Sequence, residues 1–286
     1  MIPDYCQIER NMKLIAEQTI LITGATDGLG KMIAHYFANQ GATILIHGRN
    51  REKGDLLLKE LKDYSKNDNL FYYNADFSSL DEVKALAHDI IKHHSLLDLL
   101  INNAGIGGNK TNQREFSKDG YELRFAVNYL APFLLTHLLL PLLRNAVPSK
   151  IVNIGSAAQE EIDFADVMLE KNYAGLRAYS QSKLANLMFT LSLAEQLKAD
   201  KITVNCVHPA SLMDTKMVRN YFGYSKSTVE EGAESVEYVA SSKDIDGVTG
   251  VFFNRKVQDK GHPQAYDKEA RKKLYDLSVT LTRLNS

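Results

Sequence analysis

The sequence predicts a doubly wound α/β fold, in which a parallel sheet of about seven strands lies between two layers of helices. From about residue 18 to residue 207, short apolar runs alternate with longer segments of helical periodicity. The chain has 286 residues without a Gly/Ser linker or an internal repeat, which favours one large domain over residues 1–286. Residues 1–17 precede the first apolar run and are predicted to be an N-terminal extension.

The apolar runs have the length and composition of strands that are buried on both faces. They are rich in β-branched or aromatic residues and lie at 19–23, 43–46, 70–73, 97–101, 150–154, 202–207 and 250–253. Helical periodicity places two of the intervening helices at 31–39 and 178–198. Long polar segments at 107–120, 157–178 and 211–247 follow the fourth, fifth and sixth strands. Open α/β sheets bind ligands at that edge, so residues 211–247 are predicted to form a substrate-binding lid.

Composition excludes several classes of protein. Hydrophobic residues make up 44% and charged residues 24%, as in globular domains, and a net charge of −1 argues against nucleic acid as a partner. Cys6 and Cys206 are far apart and no CxxC pattern exists, so neither a disulfide scaffold nor a metal site is expected. The most apolar stretch, 129–143, is too short and too interrupted to span a bilayer. We therefore expect a cytoplasmic protein.

The segment after the first strand contains three glycines, in the order Thr23-Gly24-x-x-x-Gly28-x-Gly30. Gly24 allows a tight turn, Gly28 lets backbone N–H groups approach a pyrophosphate, and Gly30 permits close packing of the following helix. The positive N-terminal end of that helix favours an anion. A glycine pattern alone is weak evidence, but its position at the start of a βαβ unit predicts a dinucleotide site.

The end of the second strand predicts which dinucleotide is preferred. An NAD-selective site has a carboxylate there, which accepts hydrogen bonds from the ribose 2′-hydroxyl. Here Gly48 occupies that position, followed by Arg49 and Asn50, which are the candidate ribose contacts. A guanidinium binds a 2′-phosphate in bidentate fashion, so NADP(H) is favoured over NAD(H). Asp27 in the glycine loop weakens this prediction slightly, and a solvated Arg49 is the alternative.

Tyr179 and Lys183 are four residues apart in the predicted helix 178–198, so both side chains leave the same face. An ammonium near a phenol stabilises the phenolate, which suits the pair to proton transfer. The pair alone is common by chance in a sequence with 14 tyrosines. Ser156 after the fifth strand and Asn128 in a predicted helix provide the context that makes it significant.

With these residues in place, the chain resembles the short-chain dehydrogenase/reductase family over nearly its whole length. The matching motifs are the glycine loop, Asp76, Asn102 to Gly105, Asn128, Ser156, Tyr179-x-x-x-Lys183 and His208-Pro209. The resemblance implies a Rossmann-type fold and an NADP-dependent enzyme that interconverts an alcohol and a carbonyl by hydride transfer. The 23-residue separation between Ser156 and Tyr179, and the tract around Tyr179, resemble the retinol-dehydrogenase-like branch, which handles lipophilic substrates.

The resemblance also implies a role for each catalytic residue. Ser156 would hold the substrate carbonyl, and Tyr179 would protonate its oxygen. Lys183 would bind the nicotinamide ribose and lower the pKa of Tyr179, while Asn128 would position a water for proton supply. The other implied cofactor contacts are Gly24, Thr26, Asp27, Gly28, Leu29 and Gly30 at the pyrophosphate, Asp76 and Phe77 at the adenine, Asn103, Ala104 and Gly105 on the adenosine side, and Pro209 near the nicotinamide.

Several points remain open at this stage. Met213 and Met217 are candidate substrate contacts, with packing of the lid as the alternative. Ala210 stands where the family usually has glycine, which affects the nicotinamide side only if that residue needs a positive φ. A protein that senses NADP(H) without turnover is the main alternative function, and a nucleotide-sugar epimerase is disfavoured by the glycine spacing. The sequence leaves the oligomeric state open, with a homodimer and a homotetramer as candidates, and the expected partner is a small-molecule substrate.

Overall fold

The computed structural model describes residues 13–284, which include one eight-stranded sheet. Cys6 and most of the predicted N-terminal extension lie outside the described residues. The sheet has the strand order β3-β2-β1-β4-β5-β6-β7-β8, parallel except for β8. The strands are β1 (Thr19–Ile22), β2 (Thr43–Gly48), β3 (Leu70–Asn74), β4 (Leu99–Asn102), β5 (Ser149–Ile154), β6 (Ile202–His208), β7 (Phe252–Asn254) and β8 (Val257–Asp259).

Helices cover both faces of the sheet. They are α1 (Gly28–Asn39), α2 (Arg51–Ser65), α3 (Leu80–His93), α4 (Leu123–Phe125), α5 (Ala131–Asn145), α6 (Gly175–Gln196), α7 (Lys216–Phe222), α8 (Val229–Ser241) and α9 (Lys268–Thr282). One apolar layer lies between the sheet and α3, α5, α6 and α9, and the other lies between the sheet and α1, α2 and α8. Strand residues alternate between the layers, since Leu21 belongs to the first and Ile20 and Ile22 to the second. The predicted three-layer fold is confirmed.

The eighth strand was not predicted from the sequence. All three residues of β8 are exposed, so it lacks the apolar run by which the other strands are recognised. It pairs antiparallel with β7 through a tight turn at Arg255, where φ is +58°. A short polar edge strand of this kind gives no hydrophobic pattern to detect.

Two helix starts lie three residues before their predicted positions. Both α1 and α6 begin at a glycine, Gly28 and Gly175. Glycine is a poor helix former, so the apolar periodicity places the start after it. At Gly175 a Cβ would lie 2.5 Å from the carbonyl oxygen of Asn109, which explains why a glycine begins α6.

Part of the predicted lid at 211–247 is a helix that packs on the body of the fold. The segment contains α7 and α8, and α8 packs against α1 through the buried residues Ala233, Val236 and Val239. That helix therefore belongs to an outer layer of the fold. Residues 211–227, which include α7, are the part of the segment for which a lid stays the prediction.

The run Leu123–Asn145 consists of α4, a π-helical turn at Ala126–Leu130, and α5. It is long and apolar enough to cross a membrane, with a mean hydropathy of 1.6 in its most apolar window. However, 83% of that window is buried inside the protein. The run is therefore a core helix of the fold.

Candidate active site

Strand order reverses between β1 and β4, and the loops that follow these strands form one end of a cleft. In the first of these loops, Gly24 has a φ of +64°, and a Cβ on it would lie 2.7 Å from the Cα of Ala104. A Cβ on Gly30 would lie 2.4 Å from Nδ2 of Asn103. Gly28 has a φ of +51°, so its backbone conformation favours glycine. The tight turn and the close packing of α1 agree with the predicted roles of Gly24 and Gly30.

Asp27 caps α1, with its carboxylate accepting a hydrogen bond from the amide of Gly28 at 2.9 Å. The ammonium groups of Lys53 and Lys216 each lie 3.3 Å from the same carboxylate. Burial acts to raise the pKa of Asp27, but the two lysines outweigh it and hold that pKa below its usual value. The acidic residue that weakened the case for an NADP phosphate is therefore neutralised by lysines from α2 and from the lid.

At the end of β2, a Cβ on Gly48 would lie 2.5 Å from the methyl of Thr26, so no acidic side chain fits there without a shift. Arg49 is exposed and forms no hydrogen bond or ion pair with any residue within 13–284. Its guanidinium is therefore available for an anion. Asn50 caps α2 by accepting a hydrogen bond from the amide of Lys53 at 2.9 Å, so its side-chain oxygen is already engaged.

Two predicted cofactor contacts have side chains that do not line the cleft. Phe77 is buried and stacks on His47, with ring centroids 4.2 Å apart. Leu29 is buried in the layer beneath α1. The cofactor contacts predicted at these two residues stay predictions, and they fall to the backbone groups. Asp76 stays partly exposed and accepts a hydrogen bond from the amide of Ser78 at 3.0 Å.

Asn103 braces the glycine loop from the neighbouring strand. Its Nδ2 donates to the carbonyl oxygens of Thr23 at 2.8 Å and of Gly24 at 3.0 Å. The amides of Asn103 and Ala104 both donate to the hydroxyl of Thr23. The backbone at Asn103 and Ala104, where contacts on the adenosine side are predicted, is therefore held in place by hydrogen bonds to the glycine loop.

The catalytic candidates on α6 and after β5 come together as predicted. The hydroxyl of Ser156 lies close enough to the phenol of Tyr179 to act on its pKa. The ammonium of Lys183 lies 5.8 Å from the centroid of the Tyr179 ring and donates to the carbonyl oxygen of Ile154 at 2.8 Å. Ser156 also accepts a hydrogen bond from the amide of Ala158 at 3.0 Å, which fixes its hydroxyl oxygen.

The pKa of Tyr179 is raised in this structure, and the expectation that it would be lowered is not met. Burial of the ring raises this pKa, and the nearby hydroxyl of Ser156 offsets only part of the effect. Burial also lowers the pKa of Lys183 to about 8, because the ammonium is almost fully enclosed by protein. The ammonium is bonded to the end of β5 and not to the phenol, which explains why it does not lower the pKa of Tyr179 here.

Asn128 lies in the π-helical turn between α4 and α5, an irregularity that is frequent at functional sites. Its Oδ1 accepts from the amide of Ile106 at 2.8 Å, and its Nδ2 donates to the carbonyl oxygen of the same residue at 3.0 Å. A Cβ on Gly105 would lie 3.2 Å from Asn128 Oδ1 and 3.7 Å from Lys183 Nζ. Asn128 and Lys183 therefore border the same space, which any side chain at position 105 would enter.

The two methionines of the lid have different surroundings. Met213 packs against Gly232 and Leu29, with its sulfur 2.2 Å from where a Cβ of Gly232 would be. For Met213 the structure favours the alternative, packing of the lid, because the side chain lies between residues 211–227 and α8. Met217 is 39% exposed and lies against Gly107, at the loop after β4.

Pro209 and Ala210 follow β6 and are both buried. Ala210 does not adopt a positive φ, whereas Leu212, two residues later, has a φ of +48°. The alanine therefore fits this position without backbone strain. The backbone of this segment remains suitable for the predicted contact on the nicotinamide side.

A buried ionic cluster beside the site was missed in the sequence analysis. Arg124 is 4% exposed and donates to the carbonyl oxygen of Gly107 at 3.1 Å and to the hydroxyl of Tyr173 at 3.1 Å. It also forms ion pairs with Glu115 and with the buried Glu122. An arginine four residues before Asn128, in an otherwise apolar run, is the sequence feature that marks this cluster.

Comparison with known proteins identifies the family. A family model described as short chain dehydrogenase matches residues 18–224. The chain belongs to the short chain dehydrogenase family. Retinol dehydrogenase 14 of Mus musculus is 33% identical to it over an alignment of 294 positions, which covers 94% of this chain and 86% of that protein. The chain therefore falls in the retinol-dehydrogenase-like branch.

Solved structures of other proteins have the same fold. A protein described as uncharacterized, from Mycobacterium paratuberculosis, superposes with a TM-score of 0.78 at 29% identity, covering 96% of each chain. A short chain dehydrogenase from Shigella flexneri, crystallised with NADP, superposes with a TM-score of 0.69 at 25% identity, covering 85% of this chain and 99% of its own. As a short chain dehydrogenase, the protein belongs to a family of NAD(P)-binding oxidoreductases with a Rossmann-type fold.

Proposed function

We propose that this short chain dehydrogenase is an NADP(H)-dependent enzyme that interconverts an alcohol and an aldehyde or ketone, with Tyr179 as the general acid and base. The observation that carries the proposal is the position of Ser156 beside the phenol of Tyr179, with the ammonium of Lys183 5.8 Å from the centroid of the same ring. Two hydroxyls that converge in this way suit a carbonyl oxygen that gains a proton.

The chemistry assigns one task to each side chain. The nicotinamide, when bound, supplies or accepts the hydride. The raised pKa keeps Tyr179 protonated at neutral pH, so it donates its proton to the carbonyl oxygen during reduction. Ser156 holds that oxygen through its hydroxyl. With a pKa of about 8, Lys183 is mainly a cation at pH 7, and it is the residue that would hold the nicotinamide ribose.

The residues at the end of β2 support NADP(H) over NAD(H). Arg49 is exposed without a partner in residues 13–284, and no carboxylate occupies position 48. Lys53 and Lys216 neutralise Asp27, so the charge around the glycine loop does not repel a phosphate. A 2′-phosphate therefore finds a bidentate cation and no opposing unpaired acid.

The rim of the cleft supports a lipophilic substrate. Met217 and Leu176 are exposed apolar residues that both adjoin the loop at Gly107 and Gly108. Leu176 precedes Tyr179 by one helical turn, so an apolar substrate would pass these side chains on its way to the phenol. Retinol dehydrogenase 14 bears a lipophilic alcohol in its name, which agrees with this assignment.

The proposal includes the domain organisation, the oligomeric state and the cellular location of the protein. We assign residues 1–286 to one cofactor-binding domain with residues 211–227 as the substrate lid, acting in the cytoplasm as a homodimer or homotetramer. Light scattering of the purified chain tests the assembly. Fractionation of cells that express the full chain tests the location, and recovery in the membrane pellet would contradict it.

Replacement of Tyr179 by phenylalanine tests the proposed chemistry. NADPH oxidation is followed with retinal and with aliphatic aldehydes and ketones, and the binding of NADPH is followed by its fluorescence. We expect Tyr179→Phe to lower kcat at least about 100-fold while the Kd for NADPH stays unchanged. Tyr224→Phe, at an exposed tyrosine of the lid, is the matched control. Full activity of Tyr179→Phe would refute the proposal, and NADPH binding without turnover of any substrate would favour a sensor.

A further inference from the structure

His47 is buried at the end of β2, against the loop that joins β1 to α1. The amide of Gly24 lies 3.3 Å from its Nδ1, and the carbonyl oxygen of Ala75 lies 3.0 Å from its Nε2. One face of the imidazole stacks on Phe77 with an angle of 17° between the rings. The side chain is 3% exposed, so these contacts are made without water. One imidazole thus joins the segments that follow β1, β2 and β3.

The two hydrogen bonds determine the tautomer of the ring. A backbone amide can only donate, so Nδ1 of His47 must carry a lone pair toward Gly24. Nε2 then carries the proton and donates it to the carbonyl oxygen of Ala75. Burial lowers the pKa of His47 to about 4, so this neutral form persists at neutral pH. Both ring nitrogens are engaged, and a rotation of the ring would break both hydrogen bonds.

The backbone of His47 holds the same loop. Its carbonyl oxygen accepts a hydrogen bond from the amide of Ala25 at 2.9 Å. The amides of Gly24 and Ala25 therefore point toward β2. The amides of Leu29 and Gly30 lie in the first turn of α1, where no intrahelical acceptor precedes them. Those amides face the position where a helix N-terminus binds phosphate.

We propose that His47 is a positioning residue for the dinucleotide, which holds Gly24 through Nδ1 so that the loop stays in the conformation that accepts a pyrophosphate. The inference rests on the proposed cofactor function and adds a residue to it that lies outside the glycine motif. A loop without this hydrogen bond spends part of its time in other conformations. The apparent affinity for the cofactor falls in proportion to the competent fraction.

Three substitutions separate the contributions of the ring. The side-chain oxygen of asparagine is attached to Cγ, as Nδ1 of histidine is. His47→Asn therefore keeps an acceptor for the amide of Gly24. The side-chain nitrogen of glutamine is as many bonds from Cα as Nε2 of histidine is. His47→Gln therefore keeps only a donor for the carbonyl oxygen of Ala75. His47→Phe keeps the stacking on Phe77 and neither hydrogen bond. His137→Phe is the matched control, at a half-buried histidine that packs on Phe133 and lies away from the loop.

The readouts are the Kd for NADPH, kcat at saturating NADPH, and hydrogen exchange of the Gly24 amide in the chain without cofactor. We expect His47→Asn to bind NADPH within about threefold of wild type, and His47→Gln and His47→Phe about tenfold more weakly, as for the loss of one neutral hydrogen bond. The kcat at saturation should stay unchanged in all three variants and in the control. The Gly24 amide should be protected in wild type and His47→Asn and exchange freely in His47→Gln.

Two outcomes would overturn the inference. One is equal NADPH affinity in His47→Asn and His47→Gln, and the other is a freely exchanging Gly24 amide in the wild-type chain. The exchange measurement needs neither cofactor nor a folded variant. If the wild type binds no NADPH, the proposed cofactor function fails and the inference fails with it. If it binds NADPH while the Gly24 amide exchanges freely, the inference alone fails.

Discussion

Replacement of Arg124 by methionine would leave Glu122 buried without its cation. Glu122 is 1% exposed, and removal of one partner from a buried ion pair costs about 3–5 kcal/mol because the remaining charge is uncompensated. The second ion pair contributes little, since the side chain of Glu115 is 48% exposed and such pairs are worth about 0–1 kcal/mol. Methionine fills a similar volume, so a cavity adds little. We therefore expect a loss of about 3–5 kcal/mol in the free energy of unfolding.

The assay is urea unfolding followed by circular dichroism, since the chain has no tryptophan. At about 2 °C per kcal/mol for a chain of this size, the melting temperature should fall by about 6–10 °C. Adding Glu122→Gln removes the uncompensated charge and keeps a side-chain oxygen for the amide of Phe125. The double variant should therefore regain part of the lost free energy of unfolding. Arg144→Met, at an exposed arginine paired with Asp200, is the control and should cost under about 1 kcal/mol.

Either of two results would refute this reasoning. A single variant Arg124→Met within about 1 kcal/mol of wild type would mean that the hydrogen bonds from Phe125 and Tyr173 are enough to hold the buried carboxylate. A double variant no more stable than the single one would mean that the loss comes from packing or from the hydrogen bond to Gly107, and not from the charge of Glu122.

The remaining predictions concern the cofactor and pH. Arg49→Ala should raise the Kd for NADPH about 10- to 100-fold and leave the Kd for NADH unchanged, because it removes charge-assisted hydrogen bonds to the 2′-phosphate. Arg51→Ala is the control. An equal loss of affinity for both cofactors would contradict the assignment. The pKa of Lys183 is lowered to about 8, so between pH 8 and 10.5 the unfolded chain binds the extra proton and stability rises with pH. Lys183→Met should lack this rise in urea unfolding, whereas parallel pH curves would argue against a buried ammonium. Burial and Glu234 raise the pKa of Glu237 to about 7, so the folded chain binds the extra proton between pH 4.5 and 7 and stability falls over that window. Calorimetry of Glu237→Gln should show a melting temperature above wild type at pH 8 and a smaller difference at pH 5; a constant difference would contradict the assignment.

Much of the fold was predictable because its determinants are local. Each parallel strand is buried on both faces and needs a continuous apolar run, as at Ile20 to Ile22, which is visible without any partner. The positive φ values at Gly24 and Gly28 likewise depend on a short stretch of backbone, so the glycine spacing predicts the loop. The spacing of Tyr179 and Lys183 on one helix face is also local. The strand β8 lacks an apolar run and was missed for that reason.

The sequence by itself determined which elements form and which residues reach the edge of the sheet where they end. Only the tertiary structure decided where their side chains point. Met213 turns toward Gly232, Phe77 stacks on His47, and Arg124 bonds to Gly107, each across a separation of 17 residues or more. Such contacts depend on how layers of helices and strands approach one another, and neither periodicity nor motif spacing contains that distance. The direction of the pKa of Tyr179 is a further case, because the burial that raises it comes from the elements packed around α6.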